Sequence, residues 1–299
     1  MRVERSPIEG KSISRVIPTG IPSLDPLLFG GLPPGSFILL IGESGAGCEE
    51  FAYTSITSLS RLKMTQNPRI AAGITLPESI LYLTITRRKD DIIREISRGF
   101  ARDMRPELRH VHFVELSDIY FKKSLVPIHW YSQNDENIEN IENIENSEEI
   151  ETEAQTERLG ENILTSLSNT LDHTPHQSLI VLHTLTELAT QFPTETTWSD
   201  FTAYLRGLQR ALKTWNSCMY LILTHGVLGP LQECELKDIS DAVIDFRWEV
   251  TSTAKRQRVL FIDKFRGVLP QLEEKELVKF MVKITPSHGF EVNNIRSII

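Results

Sequence analysis

A glycine-rich turn between two apolar segments holds the residues whose types and spacing could do chemistry. Gly42 and Gly47 stand five positions apart, after the apolar run 37–41 and before a helical pattern that begins near residue 48. Strand, glycine turn and helix together form the context of a phosphate-binding loop, in which backbone N–H groups hold phosphate oxygens. The candidate binding residues of this loop are Gly42, Glu43, Ser44, Gly45, Ala46, Gly47, Cys48 and Glu49.

Two positions that normally carry the chemistry of such a loop hold other residue types. Cys48 stands at the lysine position of G-x-x-x-x-G-K-[ST], and Glu49 stands at the hydroxyl position that binds Mg²⁺. Glu43, Glu49 and Glu50 add negative charge where a triphosphate would lie, although Glu49 and Glu50 also complement the dipole of the following helix. Three interpretations stay open: a tight turn only, nucleotide binding without efficient hydrolysis, and a competent NTPase.

The composition is that of a chain with ample core. It has 299 residues, of which 40% are hydrophobic and 24% charged, which suits one large domain or two small ones. We find neither an apolar signal region at the start nor a run of 18 apolar residues, so we predict a cytoplasmic protein without a membrane segment. The three cysteines lack metal-ligand spacing and are typical of reduced thiols, so we expect no metal site.

Most of the negative charge lies in one segment. Residues 135–161 contain eleven acids and one base, whereas the rest of the chain carries a net +2 and does not support a dedicated nucleic-acid-binding domain. Three Ile-Glu-Asn triplets, between 138 and 146, have a period that suits neither helix nor strand. We predict a flexible N-terminus over 1–15 and one domain over 16–299, interrupted by a disordered acidic insertion over 132–158. The insertion is either a surface insertion without a role or a binding segment for a basic partner.

Apolar runs alternate with helical patterns along the rest of the chain. The runs 80–85, 111–116, 178–183 and 218–224 predict buried strands, and the patterns near 90–100, 159–167 and 198–215 predict helices. This alternation favours a parallel sheet, and the β-like segments 242–248, 256–263 and 278–284 favour an antiparallel extension of it. Near the start, Ser23 is expected to cap a short helix that carries Leu24, Leu27 and Leu28.

The segment before the first strand carries a resemblance. Its pattern, T-G-x-x-x-L-D-x-L-L-x-G-G-x-P-x-G, is matched by Thr19, Gly20, Leu24, Asp25, Leu27, Leu28, Gly30, Gly31, Pro33 and Gly35. This pattern resembles the opening of the RecA/KaiC-like ATPases, which include archaeal KaiC-like proteins and recombinase paralogues. The resemblance implies a RecA-like P-loop α/β fold, with a mainly parallel central sheet flanked by helices and an antiparallel C-terminal extension. It also implies rings or filaments with nucleotide between subunits.

The resemblance also shows which catalytic positions are altered. The strand 179–182 stands at the Walker B motif, where His183 replaces the aspartate that favours Mg²⁺. Thr86 and Arg87 stand where KaiC-like proteins carry a water-activating glutamate, and neither is a plausible base at neutral pH. Thr224 and His225 end the strand that usually carries a phosphate-sensing residue. We therefore assign no catalytic residue and predict weak or absent ATP binding without a metal ion.

One segment of the family pattern is intact. Lys264, Phe265, Arg266 and Gly267 match the K-x-R-G segment by which KaiC-like subunits touch a neighbour's nucleotide, so Lys264 and Arg266 are candidate intersubunit residues; the alternative is an exposed basic turn. The first hypothesis for function is a pseudo-ATPase that acts as a regulatory or scaffold subunit, with copies of itself or with RecA/KaiC-like relatives. The alternatives are a slow ATPase in DNA repair, recombination or signalling, and a nucleotide-independent DNA-binding accessory protein.

Overall fold

A computed structural model describes residues 15–65, 73–122, 124–132, 153–251, 254–276 and 278–294, with the backbone alone over 153–162. The predicted insertion, 132–158, falls mostly on residues outside these ranges and stays a prediction, as does the N-terminal segment; the last residues of the insertion, 153–158, lie in the helix that begins at Glu153. The strands are β1 Phe37–Gly42, β2 Ile80–Thr84, β3 Val111–Glu115, β4 Leu179–His183, β5 Cys218–Thr224, β6 Ala242–Val250, β7 Arg256–Phe265, β8 Lys279–Thr285 and β9 Gly289–Asn294. The helices are α1 Cys48–Met64, α2 Lys89–Gly99, α3 Arg105–Leu108, α4 Ser117–Phe121, α5 Ile128–Tyr131, α6 Glu153–Asp172, α7 Leu185–Ala189, α8 Glu195–Trp215, α9 Pro230–Ile239 and α10 Leu269–Glu274.

The strands form one nine-stranded sheet in the order β3-β2-β4-β5-β1-β6-β7-β8-β9. The first six strands in this order pair in parallel, and β7, β8 and β9 extend the sheet antiparallel. The predicted fold class is confirmed: a mainly parallel sheet flanked by helices, with an antiparallel C-terminal extension.

Buried strands separate two apolar layers, because successive side chains of a strand point to opposite faces of the sheet. Along β1, Ile38 and Leu40 join the layer that contains α1, and Leu39 and Ile41 join the layer that contains α8. Such continuous apolar strands are typical of a parallel sheet covered on both faces.

The glycine-rich segment before β1 is fixed by packing and hydrogen bonds. The carboxylate of Asp25 accepts from the backbone N–H and the hydroxyl of Thr19, both at 2.7 Å, and from the N–H of Gly20. A Cβ atom at Gly31, where φ is +143°, would lie 2.3 Å from the carbonyl oxygen of Ile17. The predicted short helix is wrong, because residues 22–30 form successive turns and the Ser23 hydroxyl accepts from the N–H of Val292 in β9.

The carboxyl ends of the parallel strands meet at one edge, where α/β sheets bind ligands. Gly42 at the end of β1 pairs with Thr224 at the end of β5. Thr84 at the end of β2 pairs with His183 at the end of β4. This register places Gly42, Thr84, His183 and Thr224 at the same edge of the sheet.

Candidate functional site

Hydrogen bonds connect backbone groups of the glycine loop, between β1 and α1, to the β6–β7 hairpin. The N–H of Glu43 donates to the carbonyl of Phe246 at 3.0 Å. On the other side, Trp248 Nε1 donates to the carbonyl of Ser44 at 3.2 Å, and Arg258 Nε donates to that of Gly45 at 2.9 Å. The loop conformation is therefore supported by side chains of this chain itself.

Two glycines of the loop are also required by packing. A Cβ atom on Gly42 would lie 3.0 Å from the Cβ of Phe246. At Gly47, where φ is +117°, a Cβ atom would lie 3.1 Å from the ring of Phe290. Close packing at both positions and the positive φ at Gly47 therefore favour glycine here.

Cys48, at the lysine position, turns away from the loop cavity. Its Sγ donates to the carbonyl of Leu40 in β1 at 3.3 Å, and its side chain packs against the apolar core. Burial raises the pKa of the Cys48 thiol well above its ordinary value, and the charges of Glu49, Glu50 and Asp245 raise it further. The thiol is therefore neutral at physiological pH and supplies no charge to a phosphate.

The three other altered positions meet in one cluster, which we call the Glu49 cluster: Glu49, His183 and Arg87. His183 Nε2 lies 3.4 Å from Glu49 Oε1, and Arg87 Nη1 lies 3.7 Å from Glu49 Oε2. Because an ionised carboxylate only accepts hydrogen bonds, Nε2 of His183 carries the proton. The hydrogen bond from His183 lowers the pKa of Glu49, the charge of Arg87 lowers it further, and burial opposes both.

Each member of the Glu49 cluster is held by the element that carries it. The Thr84 hydroxyl at the end of β2 donates to the carbonyl of Arg87 at 2.9 Å and accepts from its N–H at 3.2 Å. Arg87 also pairs with Glu95 of α2 and donates to the hydroxyl of Tyr53 at 3.2 Å. The His183 side chain is only 2% exposed at the end of β4, whereas that of Glu49 is 42% exposed.

Sequence reasoning missed a further acid beside this cluster. Glu187, on α7 just after β4, feels the charges of both His183 and Glu49, and burial raises its pKa. Four buried polar atoms here have no hydrogen-bond partner among the described residues: Tyr82 Oη, His183 Nδ1, Thr184 Oγ1 and Glu187 Oε2. Glu187 lies four residues after His183 in the sequence, and this nearness was the available signal.

His225 is placed beside the loop but is held by α9. The N–H of His225 donates to the carbonyl of Gly42 at 2.9 Å, which ties the end of β5 to the loop. Its Nδ1 lies 3.0 Å from Glu233 Oε2, and Glu233 Oε1 accepts from the N–H of Gly226. The imidazole is thus oriented by a buried carboxylate.

The two candidate intersubunit cations lie apart from the loop, at the carboxyl end of α9. Lys264 Nζ donates to the carbonyls of Lys237 and Asp238, at 2.9 and 2.7 Å. Arg266 donates to the carbonyl of Asp238 at 3.0 Å and to the Asp241 carboxylate at 3.3 Å. Cations at a helix carboxyl end interact favourably with its dipole, so both have a structural role within this chain.

The residues at the Walker B edge do not fit a magnesium ion. Mg²⁺ requires several oxygen ligands in octahedral geometry. Here an imidazole N–H and a guanidinium face the only carboxylate of the cluster, so the oxygens of this carboxylate already have partners within the protein. Across the described ranges, no group of three or more His, Cys, Asp or Glu side chains is arranged to hold a metal ion.

Comparisons with known proteins establish the fold of this chain. Neither a protein-family model nor a curated protein matches its sequence. Among solved structures, it is similar to a KaiC-like protein from the hyperthermophilic archaeon Pyrococcus horikoshii, with a TM-score of 0.55 and 18% identity over 94% of this chain and 100% of that one. In the described part of the chain, no helix has both the length and the apolar character needed to cross a membrane.

The chain therefore has a KaiC/RecA-like fold, the fold of a class of ATPases. Within that fold, the carboxyl edge of the parallel strands carries the Glu49 cluster.

Proposed function

We propose that this chain is a pseudo-ATPase of the KaiC/RecA-like type that acts as a regulatory or scaffold subunit, with weak or absent nucleotide binding. The observation that carries the proposal is the Glu49 cluster. Replacements at the hydroxyl, aspartate and glutamate positions contact one another, so they form one self-contained electrostatic unit. Such a unit has its charges satisfied without a metal ion or a phosphate.

The chemistry left in the cluster does not activate water. Arg87 stays protonated at all physiological pH values and cannot act as a base. The Glu49 carboxylate is stabilised in its ionised form by His183 and Arg87, which makes it a weaker base than an ordinary glutamate. Without metal and base, the fold retains a strand-to-helix connection and surfaces for assembly.

The partners we propose are second copies of this chain or active KaiC/RecA-like relatives. Arg266 supports an interface role, since half of its side chain is exposed although it bonds to Asp241 and Asp238. Lys264 lies beside it and would share the same surface. Cations at a subunit interface can stabilise the phosphate charge of a neighbour's nucleotide.

The direct test is phosphate release from ATP and Mg²⁺ by the purified chain. The control is Gly45→Asp, because φ is +71° there, nothing lies within 4 Å of a new Cβ, and Asp tolerates this conformation while adding charge to the loop. We expect equal rates for both proteins. A rate clearly above the control would contradict the proposal and favour the slow-ATPase alternative.

Partial repair of the loop should also fail. The double variant Cys48→Lys, Glu49→Thr restores the lysine and the hydroxyl of the motif but leaves His183 and Arg87 in place. We expect no turnover from it, because the metal ligand and the base remain absent. Turnover in this variant would place the functional loss in the loop alone.

A further inference from the structure

A cleft rich in arginine lies on the face of α2 that the Glu49 cluster does not use. We call it the arginine cleft; it has a volume of about 520 Å³ and is lined by Asp90, Ile93, Arg94, Ser97, Arg98 and Arg105. Five of these residues follow one side of α2, and Arg105 begins α3 on the opposite wall. Glu95, which pairs with Arg87, is not among them. The volume falls within the range of small-ligand sites.

Two of the three guanidiniums of the cleft are paired with acids of the chain, and the third is not paired with any acid of the described ranges. Arg94 pairs with Asp91 at 2.8 Å, and Arg105 lies 3.7 Å from Asp103. Arg98 has no acidic group within 4 Å among the described residues. Asp90 is the one acid in the lining, and Asp91 and Asp103 pair with two of the three arginines, so Arg98 is the lining guanidinium left without an ion pair in the described chain.

The spacing of these groups suits neighbouring phosphates. Arg94 and Arg98 are four residues apart on α2, which places them about 6 Å apart along the helix axis at 1.5 Å per residue. Between them, the Ser97 hydroxyl is buried and makes no hydrogen bond within the described part of the chain. Guanidinium groups bind phosphate oxygens through two parallel N–H donors, and a hydroxyl can add a third.

We propose that the arginine cleft binds two adjacent phosphate groups of a polyanion, independently of the phosphate loop and of the pseudo-ATPase proposal. Arg98, as the guanidinium without an acid partner, makes the main contact. Arg94 exchanges part of its contact with Asp91 for the second phosphate, and Arg105 closes the opposite wall. The lining offers no aromatic ring for a base, so recognition is of the phosphates.

The test uses the full chain with Gly45→Asp, which blocks phosphate binding at the glycine loop. Inorganic tripolyphosphate without Mg²⁺ is titrated by calorimetry at low salt, and one site per chain is expected. Arg98→Gln should weaken binding about tenfold or more, because it removes a charge-assisted contact. The dependence of log affinity on log salt should become about one unit shallower.

The matched control is Arg210→Gln, which removes the same charge from an exposed residue of α8, a helix of the apolar layer on the other face of the sheet from α2. We expect its affinity to stay within about twofold of the parent, since distant exposed charges are screened. Unfolding midpoints confirm that each variant is folded. Equal losses in both variants, or full affinity in Arg94→Gln, Arg98→Gln, would overturn the proposal.

A competition step identifies the source of the phosphates. A 15-nucleotide oligo(dT) is added to the tripolyphosphate complex. Displacement that depends on Arg98 identifies a nucleic-acid backbone as a ligand, whereas tripolyphosphate binding without displacement identifies free polyphosphates or nucleotides. Either result supports the cleft as a phosphate site, and displacement unaffected by Arg98→Gln contradicts it.

Discussion

The contribution of the Glu49 ion pairs to stability can be tested by removing the charge of this residue while its shape is kept. Glu49→Gln keeps the side-chain volume but abolishes the attraction to His183, at 3.4 Å, and to Arg87, at 3.7 Å. If these contacts replace a metal site, their loss should destabilise the folded chain at neutral pH. A surface glutamate without such partners would tolerate the same change.

The size of the effect follows from burial. Exposed ion pairs contribute about 0–1 kcal/mol, whereas removal of one partner of a buried pair costs about 3–5 kcal/mol. The Glu49 cluster lies between these limits, because His183 is 2% exposed and Glu49 is 42% exposed. Discounted for that exposure, the expected loss is about 1.5 kcal/mol, which corresponds to a decrease in Tm of about 3–6 °C.

The pH dependence of the stability separates an effect of the Glu49 charge from an effect of its shape. The pKa of Glu49 is lower in the folded chain, so its contribution is complete above the unfolded pKa of about 4.3 and is lost as the pH falls through the folded pKa. The pKa of the neighbouring Glu50 is raised, chiefly by burial. Its ionised form therefore opposes folding, and Glu50→Gln should leave stability at pH 7 unchanged or higher.

The assay is thermal or urea unfolding of the parent, Glu49→Gln and Glu50→Gln at pH 7 and pH 4. The deficit of Glu49→Gln should be larger at pH 7 than at pH 4, and Glu50→Gln should show no deficit at pH 7. The reasoning is refuted if Glu49→Gln matches the parent at pH 7, or if its deficit is the same at both pH values.

Three further predictions concern the supports of the site. Asp241 is 10% exposed and accepts from Lys213 and Arg266, so Asp241→Asn should cost about 3 kcal/mol in urea unfolding; Asp263→Asn, at a site 33% exposed, should cost less than about 1 kcal/mol. Arg258→Gln should speed amide exchange over 43–47 about tenfold, because it frees the Gly45 carbonyl. Arg256→Gln should not change this exchange, because Arg256 stacks on Trp248 and makes no hydrogen bond to the loop in the described chain. If Lys264 and Arg266 act across an interface, their double alanine variant should lower an active relative's ATPase rate in a mixed assembly, whereas Lys213→Ala, which bonds to the same Asp241, should leave it unchanged.

The central strands could be predicted from the sequence because they are fully buried. The predicted run 218–224 coincides with β5, and 37–41 falls one residue short of β1. Strand β9 was missed, because its sequence Gly-Phe-Glu-Val-Asn-Asn has few apolar residues and lies at the sheet edge. The sequence predicted a helix at Ser23 because the leucines that follow have helical spacing. The Ser23 hydroxyl instead contacts β9, far along the chain.

The sequence indicates which positions belong to the candidate site, but not which of these residues contact one another. The motif spacing singled out Cys48, Glu49, Arg87 and His183, and that they are replacements of catalytic residues stays a prediction. That three of them touch depends on the register of β2 with β4 and on the start of α1, which no local pattern contains. In the same way, the bonds from Lys264 to the carboxyl end of α9 join residues 26 and 27 positions apart.

Packing favours the glycines of the loop, whereas ion pairs hold the charged residues around it. A single cause, such as past binding of a ligand, is therefore not needed to explain both. Gly42 and Gly47 are constrained by the Phe246 and Phe290 side chains, so the backbone path persists whether or not a phosphate is bound. Glu49 is held instead by the His183 imidazole at 3.4 Å and the Arg87 guanidinium at 3.7 Å, and a threonine there would leave His183 Nε2 without its carboxylate, whereas Arg87 would keep that of Glu95. Glu49, His183 and Arg87 are therefore coupled through two contacts, and replacement of Glu49 alone removes both of them.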